Sequence, residues 1–276
     1  MKDLARAKIN LTLHVARVIA DPHDAFFGYH PLNSLVVFAD IGDVIAMKPA
    51  AQMGLDISGP FSKGLSAAGD NLILRAAQAA KAPPHNITLD KRLPVAAGIG
   101  GGSANAAAIL RLCGAQDPDI AIGLGADVPV CLLSKTARMS GIGEDVEPIT
   151  GLGQLYAVLI NPGVAVSTSA IFKAFDATPD IRETPRPMKG QGDLLTRALD
   201  GRNDLQPIAI AQAPIIGDVL RVLSQQEGCQ LARMSGSGAT CFGIFESAQA
   251  AQRAQALIQA QAPNWWVVAT VLGEAS

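Results

Sequence analysis

Polar and apolar residues alternate strictly near the start of the chain. From Ala7 to Val15 every odd-numbered position is apolar and every even-numbered position is polar, which is the period of a half-buried β-strand. Because successive side chains of a strand point to opposite faces, Lys8 and Asn10 are expected on one shared face, away from the core. The pattern therefore predicts a surface that carries one positive charge beside one amide.

Later segments of the chain predict strands and helices in mixed order. Residues 34–39 and 44–48 are predicted to be two strands of a hairpin, joined by a turn at 40–43. Asp70 or Asn71 is expected to cap an Ala- and Leu-rich helix that runs towards Lys81. The other predicted elements are a strand at 86–90, a helix at 103–113, a strand at 155–160, helices between 168 and 227, strands at 230–234 and 240–246, a helix that ends at 261 and a strand at 265–272.

The order of these elements contains no regular βαβ repeat, which favours an α+β fold over a doubly wound one. The turn-like segment Gly151–Gly153 predicts a boundary between a domain at 1–150 and a second domain at 151–276. The segment Thr178–Gly192 is rich in Pro, Arg and Gly. It is predicted to be a mobile surface loop.

Composition and charge exclude several classes of protein. The 276 residues include 22 Lys or Arg and 24 Asp or Glu, so no basic field attracts nucleic acid or an anionic membrane surface. Every apolar stretch is interrupted before it could cross a bilayer. The N-terminal residues lack the pattern of a secretory signal, so a cytoplasmic location is expected. The four cysteines have no paired spacing and are predicted to be buried small hydrophobes.

A glycine-rich segment directly before a predicted helix is the strongest local feature. It runs from Gly98 to Gly102, and Ser103 begins the helix. Glycines bring bare N–H groups close to a ligand, and a helix start adds unsatisfied donors and partial positive charge. This arrangement predicts a phosphate-binding loop, with an ordinary glycine-rich turn as the alternative. A Walker A loop is excluded because it requires a lysine here, and a dinucleotide fingerprint requires a third glycine in place of Ser103.

Three further segments are candidates for chemistry, each with a structural alternative. The turn Ser235–Gly238 is either a second anion-binding nest or a flexible hairpin turn. Asp127 lies in an apolar neighbourhood, where it is either a functional acid or a cap. Tyr29 and His30 follow Gly28 and are either ligand contacts or a structural turn pair. The four histidines lack metal-ligand spacing, so no metal site is assigned to them.

Taken together, these motifs resemble those of the GHMP kinase superfamily, which includes galactokinases, homoserine kinases, mevalonate kinases and phosphomevalonate kinases. The resemblance runs nearly end to end and rests on the segments Ala7–Leu11, Leu93–Ala107, Gly125–Pro129 and Met234–Ala239. It implies the two-domain GHMP kinase fold, with a ribosomal protein S5 domain 2-like N-terminal domain and a ferredoxin-like C-terminal domain. It also implies ATP as co-substrate and Mg2+ as the accompanying ion.

The resemblance implies a role for each matching residue, with no metal-ligating side chain among them. The catalytic residues would be Lys8 and Asp127. The ATP-binding residues would be Pro94, Val95, Ala96, Ala97, Gly98, Ile99, Gly100, Gly101, Gly102, Ser103 and Ala104. The residues that bind the second substrate would be Asn10, Tyr29, His30, Thr168, Phe172, Ser235, Gly236, Ser237 and Gly238. For Phe172 the alternative is an ordinary core position on a helix.

Two features depart from the family pattern. Val18–Phe27 is longer than the compact turn that usually precedes the Tyr-His pair. Ala104 stands where many members have a hydroxyl or another small polar residue. If that hydroxyl normally helps to hold magnesium, the ion here must rely on phosphates, water and other groups.

The Gly28-Tyr29-His30 triplet and the strand with Lys8 and Asn10 resemble one branch of the superfamily. That resemblance implies ATP-dependent phosphorylation of the 2-hydroxyl of a cytidine diphosphate sugar alcohol, in the non-mevalonate route to isoprenoid precursors. Two small-molecule substrates and a monomer or homodimer are therefore expected, without nucleic acid or membrane as a partner. The alternatives are a kinase acting on homoserine or a mevalonate derivative, and a nucleotide-binding homologue that has lost catalysis.

Overall fold

The computed structural model describes residues 1–179, 181–187 and 190–274. Its strands are β1 (Lys2–Asn10), β2 (His14–Val15), β3 (Leu32–Pro49), β4 (Gly54–Ser58), β5 (His85–Asp90), β6 (Ala137–Ser140), β7 (Asp145–Pro148), β8 (Gln154–Asn161), β9 (Cys229–Met234), β10 (Cys241–Phe245) and β11 (Trp266–Gly273). Its helices are α1 (Leu72–Ala79), α2 (Gly101–Leu112), α3 (Pro118–Leu124), α4 (Val128–Leu133), α5 (Thr168–Asp176), α6 (Leu194–Asp200), α7 (Gln206–Gln212), α8 (Ile215–Ser224) and α9 (Ala248–Gln261).

The strands form one mixed sheet that extends through both halves of the chain. Its main path is β4-β5-β3-β11-β8-β10-β9, and β1, β2 and β6 also pair with β3. The β4-β5 pair is parallel, whereas the pairs that β3 forms with β1 and β5 are antiparallel. This sheet with interleaved helices confirms the α+β prediction.

Three apolar clusters hold the sheet and helices together. One packs α1, α2 and α4 on the sheet of the N-terminal half, and another packs α5, α7, α8 and α9 on the sheet of the C-terminal half. The third contains Ile9 and Leu35 from the first half beside Leu159 and Phe242 from the second. Apolar burial is therefore continuous across the middle of the molecule.

One long strand replaces the predicted hairpin, so that prediction is wrong. β3 runs without interruption through residues 40–43. Gly42 lies against β1, where a Cβ atom would come within 2.3 Å of the Ala5 carbonyl oxygen, and the strand register shifts beside it. Asp43 is fully buried. The apparent turn residues instead accommodate a β-bulge and a buried carboxylate.

The first strand is shorter than its alternation predicts. β1 ends at Asn10, and the short strand β2 follows a bend. Lys8 and Asn10 lie in one pocket, but they are only 4% and 1% exposed. The expectation of a face directed away from the core is therefore wrong, because loops from distant parts of the chain cover that face.

Most of the predicted helices and later strands are confirmed within a few residues. Helix α1 begins after Asn71, whose side chain accepts a hydrogen bond from the Ile73 amide. Helix α2 begins at Gly101, two residues before the predicted start. Its alanines are buried, and these small side chains let the helix pack closely on α1 and β1.

The Pro-rich segment lies between helices α5 and α6. The described residues of Thr178–Gly192 contain no helix or strand, and its residues Asp180, Met188 and Lys189 lie outside the described part, as do Ala275 and Ser276. Two cysteines, Cys131 and Cys241, are buried as predicted, whereas Cys113 and Cys229 are half-buried. No described helix combines the length and the apolar character needed to cross a membrane.

Candidate active site

One cavity of about 460 Å³ gathers residues from distant parts of the chain. It lies where β1, the start of α2, the start of α4 and helix α5 approach one another. The predicted site residues that line it are Lys8, Asn10, Pro94, Val95, Ala96, Ala97, Gly98, Gly100, Gly101, Gly102, Ser103, Asp127, Thr168, Phe172, Gly236 and Ser237. Tertiary packing therefore brings the glycine-rich segment, the lysine, the aspartate and the second turn to one place.

An ion pair joins the first strand to helix α4. Lys8 Nζ lies 2.9 Å from Asp127 Oδ1. The lysine side chain is 4% exposed and the aspartate side chain 35% exposed, so the carboxylate faces the open part of the cavity. Asp127 occupies the N-cap position of α4, but its side chain makes no capping bond. The structure therefore excludes the capping role that the sequence left open, and the carboxylate is directed to Lys8.

Bare backbone forms the wall beside this ion pair. Gly100, the N-cap of α2, has a φ of 63°, in the left-handed region that favours glycine. A Cβ atom there would lie 3.2 Å from Cβ and Cε of Lys8, so the absence of a side chain lets the lysine pass. At Gly102 a Cβ atom would meet no other atom within 4 Å. The first turn of α2 is thus open to a ligand, and its amides point to the cavity end.

The two glycine loops pack directly on each other. A Cβ atom on Gly98 would lie 2.5 Å from the Ser235 carbonyl oxygen and 2.8 Å from the Gly238 nitrogen. A Cβ atom on Gly236 would lie 2.8 Å from the Gly98 carbonyl oxygen. Each glycine is therefore required by the close approach of the other loop, which excludes a freely flexible hairpin turn at Ser235–Gly238.

Ser235 ties the second loop to the first strand. Its Oγ accepts a hydrogen bond from the Asn10 amide at 3.1 Å and donates one to the Gly98 carbonyl at 3.0 Å. The Asn10 side chain donates from Nδ2 to Ser34 Oγ at 2.7 Å. Its Oδ1 is buried without a hydrogen-bond partner among the described residues. The site thus contains one buried acceptor that still lacks a donor.

Helix α5 supplies the opposite wall. Thr168 Oγ1 lies 2.8 Å from Ser237 Oγ, which fixes the start of the helix to the second loop. One turn further, the ring of Phe172 packs at 4.7 Å from the ring of His30, with an angle of 41° between the two planes. Phe172 lines the cavity, and it is only partly buried at the edge of a core cluster.

His30 is held by a carboxylate that the sequence analysis did not identify. Its Nε2 lies 2.8 Å from Asp176 Oδ1, at the end of α5. Because a carboxylate only accepts hydrogen bonds, Nε2 carries the proton of this contact. No local signal distinguishes Asp176 in the sequence, since its partner is 146 residues away.

Neither Tyr29 nor His30 is among the residues that line the cavity; Tyr29 is 53% exposed, and His30 lies behind the lining residue Phe172. The long segment before Tyr29 closes on itself, because the Ile19 amide donates to the Tyr29 carbonyl and the Gly28 amide donates to the Ile19 carbonyl. The extra residues of Val18–Phe27 are thus accommodated in a surface loop. This loop leaves His30 in place against α5.

Two of the residues expected to bind ATP, Ile99 and Ala104, are buried at 1% and 2% exposure and do not line the cavity. Of the second-loop residues, Ser235 and Gly238 lie behind Gly236 and Ser237. An apolar wall of the cavity was not anticipated. It consists of Leu65, Leu72, Ile73 and Leu89, which look like ordinary core positions in the sequence.

A buried network beneath α2 was also missed. Asp43 accepts hydrogen bonds from Lys91 Nζ at 2.5 Å and from Asn105 Nδ2 at 2.9 Å. It also accepts from the amides of Arg92 and Leu93. This carboxylate connects β3, the start of the glycine loop and α2, so it holds the loop against the sheet.

A nucleophilic thiol is excluded from the site. Cys131 lies on α4, close to Lys8 and Asp127, and burial raises the pKa of its thiol to about 12. The thiol is therefore protonated at neutral pH. Within the described part of the chain, no group of three or more His, Cys, Asp or Glu side chains is arranged to hold a metal ion.

Comparison with known proteins gives matches over nearly the whole chain. Residues 71–135 match the model of the GHMP kinases N terminal domain, and residues 177–264 match that of the GHMP kinases C terminal. A 4-diphosphocytidyl-2-C-methyl-D-erythritol kinase from Paracoccus denitrificans is 50% identical, with 99% of this chain and 97% of the relative covered. One from Dinoroseobacter shibae is 49% identical, with 97% and 93% covered.

Solved structures agree with these matches. The crystal structure of a 4-(cytidine 5'-diphospho)-2C-methyl-D-erythritol kinase covers 100% of both chains, with a TM-score of 0.80 and 30% identity. Mevalonate kinase from Methanococcus jannaschii covers 100% of this chain and 98% of its own, with a TM-score of 0.62 but only 11% identity, and shows the shared fold. The expected resemblance is confirmed: the chain belongs to the GHMP kinases, in the family of the 4-diphosphocytidyl-2-C-methyl-D-erythritol kinases.

Proposed function

We propose that this chain phosphorylates the 2-hydroxyl of 4-diphosphocytidyl-2-C-methyl-D-erythritol, with ATP as the phosphoryl donor. Kinase identity itself implies ATP as co-substrate. The observation that carries the proposal is the Lys8–Asp127 pair, 2.9 Å apart, beside the open first turn of α2. Phosphoryl transfer requires little of a protein beyond in-line positioning and stabilisation of charge, and these groups supply both.

Asp127 is the group that would handle the proton of the accepting hydroxyl. In the proposed step, the hydroxyl oxygen forms a bond to the γ-phosphorus, the bond from that phosphorus to the β–γ bridging oxygen breaks, and the hydroxyl proton passes to the Asp127 carboxylate. Lys8 holds this carboxylate in position and places a positive charge beside the transferring group. A positioned acid or base of this kind contributes about 100- to 10,000-fold to the rate.

The triphosphate would lie along the glycine loop. The amides of the first turn of α2 and the partial positive charge of the helix start face the cavity. Beyond them, the apolar wall that includes Leu65, Leu72 and Leu89 provides a surface for the purine. We therefore assign the sugar and base of ATP to this side, away from α5.

The donor set also fits Mg2+ that arrives with the nucleotide. Mg2+ keeps several waters and is usually held by substrate phosphates and few protein groups, and Ser103, a hydroxyl residue at the start of α2, lines the cavity. Ser103, phosphate oxygens and water would hold the ion. When bound, it neutralises charge on the phosphates. Buried Ala104 contributes no ligand.

The opposite side of the cavity would bind the cytidine end of the second substrate. Phe172 lines the cavity, and an aromatic ring at this position would let a base stack on it. Asp176 accepts a hydrogen bond from His30 Nε2, so in the neutral tautomer Nδ1 would be the acceptor that matches the exocyclic amino group of cytosine. Uracil has a carbonyl at that position, which cannot donate, and would therefore be rejected.

Asn10 completes the proposed substrate site. Its Oδ1 is a buried acceptor without a partner among the described residues, which costs about 1–3 kcal/mol. A hydroxyl of the polyol part would donate to it and remove that cost. The amides of Gly236 and Ser237 on the same wall would contact the diphosphate.

The test is a coupled assay of ADP release from ATP with the diphosphocytidyl substrate. We expect ADP release that depends on this substrate and is absent with homoserine or mevalonate. Transfer to mevalonate at comparable kcat/KM, or ATP binding without substrate-dependent turnover, would contradict the proposal. Replacing the cytosine by uracil should raise KM without changing kcat to the same extent. We also propose that the domains are residues 1–150 and 151–276, supported by one apolar cluster formed by the first half and another formed mainly by the second half.

A further inference from the structure

A second cavity, of about 740 Å³, lies on the other side of the chain segment that follows Lys8. Asn10 and Leu13 line the candidate active site, whereas Thr12 and His14 line the second cavity. Within the described part of the chain, no residue lines both cavities. The second cavity lies between strands of the N-terminal half and helix α6, so it joins the two halves of the molecule.

Its lining is rich in arginine. Among the described residues, the lining holds four arginines and two carboxylates. The arginines are Arg138, Arg182, Arg186 and Arg197, and the carboxylates are Glu147 and Asp200. One of the carboxylates, Glu147, is already paired with a guanidinium, that of Arg138, at 3.0 Å. In a chain with a net charge of -2, this is a local excess of positive charge. Within the described residues, no carboxylate pairs with the side chain of Arg182 or Arg186.

A fifth arginine, Arg233, lies beneath the lining residue Gly201. Arg233 is 7% exposed, and its guanidinium donates to the carbonyls of Leu11, Ala198 and Gly201 at 2.6 to 2.7 Å. Gly201 itself lines the cavity. Burial lowers the pKa of Arg233 to about 10, so the group keeps its charge at neutral pH. A positive charge held at low dielectric strengthens the potential above it.

The position of one wall arginine is fixed by a buried histidine. His14 Nε2 accepts a hydrogen bond from the Arg202 amide, so the ring proton lies on Nδ1, which donates to the Arg186 carbonyl at 3.0 Å. Through this contact the backbone of Arg186 is attached to strand β2, which contains His14. The arginine is thus placed at the cavity by a specific contact and not by chance exposure.

The lining also has an apolar part. Leu35, Pro148, Ile149 and Pro187 face the same space. Guanidinium groups form forked hydrogen bonds that match phosphate oxygens, and the apolar surface suits a short hydrocarbon group. We propose that this second cavity binds a small organic phosphate with a short hydrocarbon group, at a site separate from the candidate active site.

The experiment is calorimetric titration of the full chain with n-butyl phosphate. A saturating non-hydrolysable ATP analogue is present, so that the glycine loop is occupied. We expect one site per chain, with weaker binding of inorganic phosphate and no binding of n-butanol. Absence of binding would overturn the proposal, and equal affinity for inorganic phosphate would overturn the role of the apolar wall.

Binding measurements on variants show which cavity takes n-butyl phosphate. Arg186→Gln and Arg197→Gln should each weaken binding at least about tenfold, because each removes a charged donor pair. Arg186→Lys, which keeps the charge but loses the fork, should have an intermediate effect. Arg253→Gln is the matched control, since this exposed arginine of α9 lies outside the lining. Unchanged binding in Arg186→Gln, or loss of binding in Lys8→Ala, would move the ligand elsewhere and overturn the proposal.

Discussion

The candidate active site and the second cavity present different donor groups to a negatively charged ligand. In the candidate active site, the donors are backbone amides at the start of α2 together with the buried Lys8, which is paired with Asp127. In the second cavity, the donors are arginine side chains, several of them exposed. Backbone donors are fixed by the packing of two glycine loops, whereas exposed arginine side chains such as Arg182 and Arg186 lose rotamer freedom when they bind a ligand.

This difference predicts how each region responds to substitution. Backbone donors cannot be removed by changing their own side chain, so the active site is altered through the residues that position it. Arginine donors can be removed individually and at little cost in stability. Reaction chemistry requires fixed geometry. The Lys8–Asp127 ion pair supplies that geometry in the candidate active site, whereas the role proposed for the second cavity is binding alone.

The largest expected effect is that of Asp127→Asn. This change preserves the shape of the side chain but removes the acceptor for the hydroxyl proton, so we expect kcat to fall by about 100- to 10,000-fold. The measurement is steady-state ADP release, with the melting temperature recorded to check the fold. Arg197→Gln, in the second cavity, is the control and should retain kcat. A near-normal kcat in Asp127→Asn would remove the carboxylate from the proposed mechanism.

Two glycines of the same loop form the next test. Gly98 has a φ of 71° and no space for a Cβ atom, so Gly98→Ala should lower the free energy of unfolding by about 2–4 kcal/mol. Gly102 lies in helix α2 with open space beside it. Gly102→Ala should therefore stabilise the fold by about 0.5–1 kcal/mol.

The Gly98→Ala and Gly102→Ala variants separate an effect on the stability of the fold from an effect on ATP binding. If phosphate approaches the backbone at Gly102, a methyl group there should raise KM for ATP by roughly tenfold, equivalent to about 1.4 kcal/mol. Chemical denaturation and ATP titration give the two quantities. A Gly102→Ala variant that is more stable and binds ATP normally would contradict the assignment of the triphosphate to this turn.

A smaller effect is expected at the cytidine side. Asp176→Asn replaces the charged carboxylate that accepts the His30 hydrogen bond with a neutral amide. We therefore expect KM for the cytidine substrate to rise by about tenfold, while kcat changes little. Asp176→Glu should recover part of the loss, because it restores the carboxylate. Equal loss of kcat and kcat/KM would show that Asp176 acts on the reacting groups and not on recognition.

The smallest effect concerns the pH dependence of stability. Burial lowers the pKa of His14 below its ordinary value of 6.5. The hydrogen bond to the Arg186 carbonyl and the charge of Asp204 oppose this shift, whereas the charges of Arg202 and Arg186 act in the same direction. The native state therefore binds fewer protons than the unfolded state, and stability falls as the pH decreases from about 6.5 through the native pKa. Urea denaturation of His14→Gln should show a smaller decrease over this range. An unchanged pH profile would exclude a neutral, buried His14.

Local features of the sequence determined much of the fold. The Asn71 cap and the Ala-rich run identified α1 and α2, and the later strands were located within a few residues. These elements depend on propensities and on hydrogen bonds between near neighbours, which a linear pattern contains. The prediction of a hairpin around Gly42 was wrong because the apparent turn residues contact another strand. A linear pattern does not contain such contacts.

The candidate site was predictable only in part. Lys8, the glycine segment and Asp127 were identified from motifs, but their juxtaposition is decided by packing, since Lys8 and Asp127 are 119 residues apart. Asp176 and Asp43 carry no local signal, and the arginines of the second cavity are scattered along the chain. The sequence by itself therefore determined the elements and the chemical groups that are available. Tertiary structure decided which groups meet, because burial and distance set the strength of electrostatic and hydrogen-bond interactions.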